Sequence, residues 1–153
     1  MPSLRSRRAF GGFSQAEYET LAEFRYHLAR FLRRRKDAAR AEGLQPQQYE
    51  LLLAVSGLPK EKQPTIKELA AQLCLEHHTV VELADRLEKQ GLLVRRSSPL
   101  DKRVALLQVT RSGQGVLGRI VGFSFAQLRD EAPLLITSLR RKIVDLSDGA
   151  LSS

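Results

Sequence analysis

The sequence has little of several residue types on which whole classes of protein depend. Cysteine and methionine each occur once, histidine occurs three times, and tryptophan is absent from the 153 residues. A single cysteine excludes an internal disulfide and any zinc site built from several cysteines, and it is typical of a reducing compartment. The longest unbroken apolar run, residues 51–55, is far shorter than the ~20 residues of a membrane span. Residues 1–10 carry arginines without the apolar stretch of a secretory signal. We therefore predict a cytoplasmic protein with no membrane partner.

Catalytic and cofactor signatures are missing as well. The sequence contains no Gly-rich phosphate loop, no Gly-x-Ser-x-Gly nucleophile motif and no triad of metal ligands. His77 and His78 are adjacent, so on a helix their side chains point about 100° apart and do not readily bind one metal ion. The sequence predicts a protein that is not an enzyme and that needs no metal or other cofactor.

Acidic residues are in the minority. There are 17 Asp and Glu against 25 Lys and Arg, which gives a formal net charge of +8. The excess lies mainly in residues 1–43, with ten basic and five acidic side chains. A basic surface attracts phosphate and so suggests a nucleic acid partner, although a solvated helix face explains the run 33–36 as well. Length and composition indicate one folded domain over residues 14–153, preceded by a basic, flexible segment over residues 1–13.

A long helix is predicted at the beginning of this domain. Ser14 and Glu17 have the spacing of a capping box, and Gly43 is a typical C-terminal stop, so the helix should span 14–42. Apolar residues recur along it at intervals of three and four, which gives one apolar stripe. A second helix should follow over 46–56, with proline in its first turn.

The end of the domain is predicted to be helical too. Thr110 has the position of a helix cap, and Gly113 would let the new helix pack closely on the segment before it. Helical apolar spacing continues to Leu128. Pro133 is expected to end this helix, and a last helix should then span 134–146.

The middle of the chain carries the functional pattern. A short helix over 66–73 and a second helix over 77–90 are joined by a turn of three or four residues, as in a helix-turn-helix. Two short β-prone runs, 92–97 and 104–109, then flank the basic segment 98–103, which predicts a hairpin. The fold class is therefore mainly α with a small β-hairpin.

The second helix of this motif has two distinct faces. Spacings of three and four residues direct one set inward: Val80, Leu83, Ala84 and Leu87. The opposite, outward face holds His78, Glu82, Asp85 and Lys89, flanked by Thr79, Val81 and Arg86. We expect the outward face to be the one that meets a partner.

A helix-turn-helix followed by a hairpin with arginine at its tip is a winged helix-turn-helix, and here long helices flank it on both sides. This arrangement resembles the multiple antibiotic resistance regulator (MarR) family over about residues 14–146. The resemblance is strongest in 65–113, which contains TIKELAAQL, HHTVVELADRLEKQGLLVRR, the DKR of the wing and TRSG in that order.

The resemblance implies a homodimeric, sequence-specific DNA-binding regulator of transcription, a repressor in most of the family, which binds a palindromic operator. By this resemblance, residues 14–45 and 112–146 would form the dimerisation helices and residues 46–111 the winged helix-turn-helix. The helix 77–90 would enter the major groove of double-stranded DNA, and the wing would reach the flanking minor groove. Such a regulator can be released from DNA by a small-molecule effector.

Two sets of site residues follow from the resemblance. The expected DNA-binding residues are His77, His78, Thr79, Val81, Glu82, Arg86, Lys89, Arg96, Asp101, Lys102 and Arg103. Small aromatic or anionic effectors bind in the family between the dimerisation helices and the winged domain. The residues expected to border such a cleft are Arg25, Tyr26, His27, Phe31 and Tyr49, although core or interface packing explains these side chains as well.

Glu82 departs from the family pattern, because many members carry a basic or small polar residue at this position. Its carboxylate would be repelled by phosphates, so it should either pair with Arg86 one turn later or accept a hydrogen bond from a cytosine amine. Glu76 likewise replaces the usual short helix cap. We expect the N-terminal arginines, Lys89 and the wing to provide the attraction for DNA, with Arg95 and Arg96 among the contributing residues.

Other interpretations remain open. Cys74 stands in the turn where the family commonly has glycine, and we expect it to be a small, partly buried apolar residue, since peroxide-sensing relatives carry their reactive cysteine near the start of the first helix. The carboxylates of Glu82 and Asp85 would also suit a winged-helix dimer that has lost DNA binding and serves a protein partner. RNA binding lacks support, because no exposed stacking platform is evident.

Overall fold

The computed structural model describes residues 12–151. Of the N-terminal basic segment predicted over residues 1–13, all but the last two residues lie outside this range. Within it the chain forms five helices and one hairpin: α1 Gln15–Ala41, α2 Pro46–Ser56, α3 Ile66–Leu73, α4 His77–Lys89, β1 Leu93–Ser97, β2 Ala105–Val109 and α5 Arg111–Leu151. None of the described helices is both long and apolar enough to cross a membrane.

The chain divides into two compact units. The winged unit comprises residues 35–123, and the helical unit comprises the remaining described residues, 12–34 and 124–151. α1 and α5 therefore each contribute one part to each unit.

α1 begins and ends at the residues that the sequence indicates. At its start the backbone N–H of Ser14 donates to Glu17 Oε2 at 2.8 Å and the backbone N–H of Glu17 donates to Ser14 Oγ at 3.3 Å, which is a complete capping box. At its end Gly43 has a φ of 78°, and the N–H of Leu44 donates to the carbonyl of Ala39 at 2.9 Å. The left-handed glycine lets the chain satisfy the last carbonyls and turn into α2.

α5 does not end at Pro133, which corrects the expectation of two separate helices. It runs from Arg111 to Leu151 with Pro133 inside it. Proline removes one backbone hydrogen bond and crowds the preceding turn, but the helical spacing of apolar residues continues on both sides. Pro133 itself is exposed, so its ring displaces no packed neighbour.

The core of the winged unit is formed by α2, α3, α4, the hairpin and the parts of α1 and α5 that belong to the unit. Its largest fully buried side chains are Leu51, Leu52, Leu69, Val80, Leu87, Leu93, Leu107 and Ile120. The two strands pair antiparallel, with Leu93 opposite Val109 and Ser97 opposite Ala105. The N–H of Leu107 also donates to the carbonyl of Pro64 at 2.9 Å, which attaches the hairpin to the segment before α3. The hairpin is thus a part of the core and carries its tip outward from it.

Gly113 lies where α5 begins against the hairpin. Thr110 caps the helix, since its Oγ1 accepts the N–H of Gly113 at 3.1 Å, and the hydroxyl of Thr110 donates to the carbonyl of Gly91 at 2.7 Å. A Cβ at position 113 would stand 2.1 Å from the carbonyl oxygen of Leu92 and 2.7 Å from Val109 Cγ1. The close packing expected of this glycine is confirmed.

We predict that Gly113→Ala lowers the free energy of unfolding by about 1–3 kcal/mol, because the methyl group would have to displace backbone atoms of the hairpin. Gly118→Ala is the matched control: a Cβ at Gly118, one and a half turns along the same helix, has no neighbour within 4 Å. It should stabilise the protein by up to about 1 kcal/mol through helix propensity. Urea unfolding of both variants tests this, and similar stabilities for the two would contradict the packing argument.

Candidate nucleic-acid interface

α3 and the turn after it determine where α4 begins. Thr65 Oγ1 accepts the N–H of Glu68 at 3.1 Å and caps α3. The side-chain hydrogen bond from Lys62, with another from Gln72, lowers the pKa of the Glu68 carboxyl below its ordinary value. Cys74 ends the helix in the left-handed conformation, with a φ of 53°. The chain is thereby reversed within the few residues that a helix-turn-helix allows.

Cys74 is exposed, contrary to the expectation that it is partly buried. Its backbone explains the difference. A residue in the left-handed conformation at a helix end turns the chain at the surface, and it occupies the position that glycine usually fills. Core packing therefore does not explain the cysteine at this position. Its left-handed backbone conformation costs an L-residue about 1–2 kcal/mol.

α4 presents the outward face that its periodicity predicts. Val80, Leu83, Ala84 and Leu87 are all buried, whereas the exposed residues of the helix are His77, His78, Glu82, Asp85, Arg86, Glu88 and Lys89. Thr79 and Val81 lie at the edge and are half-buried. Glu76 precedes the helix without a side-chain hydrogen bond to its first turn, so the first N–H groups of α4 have no side-chain cap.

Arg95 connects the wing to α4. Its Nη2 donates to Asp85 Oδ1 at 2.6 Å, and its Nη1 donates to Glu88 Oε2. Partial burial lowers the pKa of the guanidinium, but the hydrogen bonds to these two carboxylates outweigh that effect and the pKa lies above its ordinary value. Arg95 was expected to help attract DNA. Instead it forms hydrogen bonds to two carboxylates of α4, offsets part of their charge, and joins strand β1 to the helix.

Arg86 does not pair with Glu82. Its Nη1 donates to Oε1 of Gln45 at 3.2 Å. Gln45 immediately precedes α2, so the Arg86 side chain points away from Glu82, the carboxylate one turn earlier on its own helix. Among the described residues no hydrogen bond or ion pair involves the Glu82 side chain. Of the two alternatives for Glu82, the intrahelical pair with Arg86 is therefore absent from the structure.

The tip of the wing holds its arginine out in solvent. The backbone N–H of Arg103 donates to Asp101 Oδ1 at 3.0 Å, and its Nε donates to the same oxygen at 3.3 Å. The Arg103 side chain is nevertheless 92% exposed. A surface pair of this kind contributes little stability, so its effect is to limit the directions in which Arg103 can point. The turn is closed by Ser98, whose N–H donates to the carbonyl of Val104 at 2.9 Å.

The other basic residues expected at this surface are also exposed: Lys89 at the end of α4, Arg96 on β1 and Lys102 in the wing tip. Among the described residues they have no ion-pair partner. Because Arg95 balances Asp85 and Glu88 only in part, these free cations and Arg103 determine whether the surface attracts an anion. No group of three or more metal-ligating side chains occurs within residues 12–151.

The residues expected to bind an effector are divided between the two units. Tyr49 is buried in the core of the winged unit. Arg25, Tyr26, His27 and Phe31 belong to the helical unit, where Tyr26 and His27 contact each other edge to face and Tyr26 and Arg25 are exposed. His27 and Phe31 line a cavity of about 270 Å³ together with Leu28, Arg30, Leu128, Glu131, Ala132 and Leu135.

The roles of Arg95 and Gln45 in this site were not predicted from the sequence. Arg95 and Gln45 owe their roles to contacts with residues ten and 41 positions away, Asp85 and Arg86 respectively. A helical wheel of α4 shows Asp85 and Arg86 as outward side chains, but it does not show which residues of other elements they contact. The only signal in the sequence is charge: two carboxylates at the end of α4 precede an Arg-Arg pair on the next strand.

We predict that Arg95→Ala lowers the free energy of unfolding by about 1–2 kcal/mol, since two charge-assisted hydrogen bonds are lost and two carboxylates remain unpaired. Amide hydrogen exchange in β1 should become faster while α1 is unaffected. Arg96→Ala, at an exposed neighbour without an ion pair in the described structure, should change stability by under about 0.5 kcal/mol. Equal effects of the two substitutions would rule out the connection described for Arg95.

Comparison with known proteins agrees with this geometry. The model of the MarR family matches residues 42–104, the segment from the end of α1 to the wing. The organic hydroperoxide resistance transcriptional regulator of Bacillus subtilis is 30% identical over 107 residues, which cover 61% of this chain and 73% of that protein.

Solved structures share the fold. A MarR family transcriptional regulator from Rhodococcus sp. RHA1 superposes with a TM-score of 0.65 at 21% identity, covering 87% of this chain and 97% of that one. The transcriptional repressor CouR, solved on a 23-mer DNA duplex, superposes with a TM-score of 0.61 at 23% identity, covering 84% and 89% of the two chains. CouR from Rhodococcus jostii RHA1 has also been solved with p-coumaroyl-CoA.

The winged helix-turn-helix between two long helices is thus the fold of these regulators, and the sequence match extends over its DNA-binding part. Members of the family act by binding DNA and are not enzymes. This chain belongs to the MarR family of transcription regulators.

Proposed function

We propose that this protein is a homodimeric repressor that binds a palindromic operator. The two α4 helices of the dimer enter successive major grooves about one helical turn apart, and the two wings reach the flanking minor grooves. Binding occludes the promoter. As a regulator of transcription the protein acts in the cytoplasm, where bacterial DNA is transcribed.

The observation that carries this proposal is the side-by-side arrangement of the exposed α4 face and the wing, which Arg95 joins. Arginine suits a narrow, strongly negative minor groove, and the Arg103 side chain is 92% exposed beside Asp101, which limits its direction. CouR has this fold on a DNA duplex, which supports the same docking here. The proposed contacts to DNA come from His77, His78, Thr79, Val81, Glu82, Arg86, Lys89, Arg96, Asp101, Lys102 and Arg103.

Apolar exposure in the helical unit supports the homodimer. Leu21 is 69% exposed, Phe125 63% and Ile136 61%, and Tyr18, Tyr26 and Val144 are also exposed. Soluble proteins rarely leave so many large apolar side chains on neighbouring turns in water, and such surfaces mark association sites. The two-fold symmetry of a dimer would then match a palindromic site.

The cavity of the helical unit supports an effector site. Its wall is mostly apolar, with His27 and the ion pairs of Glu131 with Arg30 and Arg34 at one side. An aromatic ring with an anionic group fits this combination, and CouR has been solved with p-coumaroyl-CoA. An effector would weaken operator binding if it favoured a dimer whose α4 helices are wrongly spaced. A screen for compounds that release labelled duplex DNA from the protein would identify such an effector.

We predict that Arg103→Ala weakens binding to the operator by about 1–3 kcal/mol, because a specific groove contact is lost. Fluorescence anisotropy with a duplex from the upstream region of the gene, against a scrambled duplex, at several salt concentrations, measures this loss. Arg129→Ala is the control, since it removes the same charge from an exposed position on α5 in the helical unit. It should leave the affinity nearly unchanged.

Two results would contradict this proposal. Equal losses for Arg103→Ala and Arg129→Ala would show that only net charge matters. At low salt the neutralisation of DNA phosphates by basic residues favours binding most. If neither duplex bound even there, the winged unit would serve a protein partner instead.

We predict that Leu21→Asp converts the dimer to a monomer and lowers operator affinity, because a buried carboxylate at the interface would lack a partner. Leu100→Asp is the matched control: Leu100 is 84% exposed but lies in the wing. That variant should remain dimeric. Sedimentation velocity reports the mass of each, and a dimer that survives both substitutions would place the interface elsewhere.

A further inference from the structure

We propose that Glu82 reads a base and makes this protein select cytosine at one position of each half-site. The proposal rests on the function proposed above, since it needs α4 in the major groove. It assigns a specificity to the carboxylate that would otherwise oppose DNA binding.

Two arginines close to Glu82 in the sequence and fold have other partners. Arg86, one turn later, donates to Gln45 at 3.2 Å. Arg95, one of the two cations of strand β1, is held by Asp85 and Glu88. Within residues 12–151 no donor contacts the Glu82 carboxylate, and the side chain is exposed. Of the three carboxylates on α4, Glu82 alone reaches the surface without a cation beside it.

The position of Glu82 decides what it can meet. It lies in the middle of α4, between His78 and Asp85 on the face opposite the buried Val80, Leu83 and Leu87. In a major groove the middle of such a face lies toward base edges rather than the phosphates at the groove walls. A carboxylate there must find a donor, because an unpaired buried charge costs much more than a missing contact.

Only some base edges offer that donor. A carboxylate accepts hydrogen bonds and donates none, and in the major groove cytosine N4 and adenine N6 are the donors, whereas guanine and thymine present acceptors. Adenine places its N7 acceptor next to N6, so a carboxylate is repelled by one atom as it binds the other. Cytosine has no such acceptor beside N4. The carboxylate therefore favours cytosine, and a side-chain amide at the same place would favour adenine.

The test is selection of binding sites from a randomised duplex library by the full-length protein. The wild type should enrich a palindrome with cytosine at one symmetric position. Glu82→Gln, which keeps the shape and adds donors, should change that base to adenine, and Glu82→Ala should accept any base there. The affinity ratio between cytosine and adenine duplexes should shift by about fivefold to hundredfold in Glu82→Gln.

Glu61→Gln is the matched control, because it makes the same chemical change on an exposed carboxylate in the loop before α3, outside α4 and the wing. It should leave the selected base unchanged. Circular dichroism confirms that each variant is folded, which is expected for substitutions at exposed positions.

The outcomes separate this proposal from the proposed function. If the wild type enriches no sequence, the DNA-binding function itself is contradicted, and the base reading with it. If the wild type enriches a palindrome that Glu82→Gln and Glu82→Ala leave unchanged while binding all duplexes more tightly, Glu82 only repels phosphates. That second result overturns the cytosine assignment and leaves the function intact.

Discussion

The hydrogen bonds of Arg95 to Asp85 and Glu88 hold together the α4 face and the wing, the two surfaces that we propose contact DNA at the same time. A helix in a major groove and a wing in the adjacent minor groove need a constant separation, because the duplex is nearly rigid over that distance. The hairpin is attached to the core through Leu93 and Leu107, but its outer half leaves the core. Arg95 attaches that outer half to α4 and at the same time offsets part of the negative charge of Asp85 and Glu88.

The basic residues near α4 differ in their roles, and this explains a surface whose charges look unfavourable for DNA binding in the sequence. Counted along the chain, α4 carries three carboxylates against Arg86 and Lys89. In the fold, Asp85 and Glu88 share one guanidinium, Arg86 is turned toward Gln45, and Glu82 is left alone. Lys89, Arg96 and Lys102 have no ion-pair partner within residues 12–151. On the proposals above, attraction to phosphate and selection of bases are functions of different residues, as in direct readout.

Most of the fold follows from short-range signals, and these were predictable. The capping box of Ser14 and Glu17, the stop at Gly43 and the cap at Thr65 each depend on residues within one turn. The apolar periodicity of α4 predicted that Val80 and Leu87 are buried, because the spacing of apolar residues is enough to determine which face of a helix packs on the core. The errors arose where distant groups decide. Pro133 lies inside α5 because the rest of the helix outweighs one lost hydrogen bond, and Arg95 and Arg86 point to partners that no local pattern reveals.

The two units differ in how completely they bury their own apolar side chains, and this difference bears on why the long helices exist. All the buried apolar residues of the described chain, from Ala39 to Ile120, belong to the winged unit. In the helical unit the described residues below a tenth exposure are Ser124 and Gln127, both polar, while Leu21, Phe125 and Ile136 are left in water. The winged unit therefore has its own apolar core, whereas the side chains of the helical unit whose burial the structure describes form none. In the proposed homodimer, a second copy would cover this apolar face, so that folding of these helices and the pairing of two DNA-binding surfaces would be the same event.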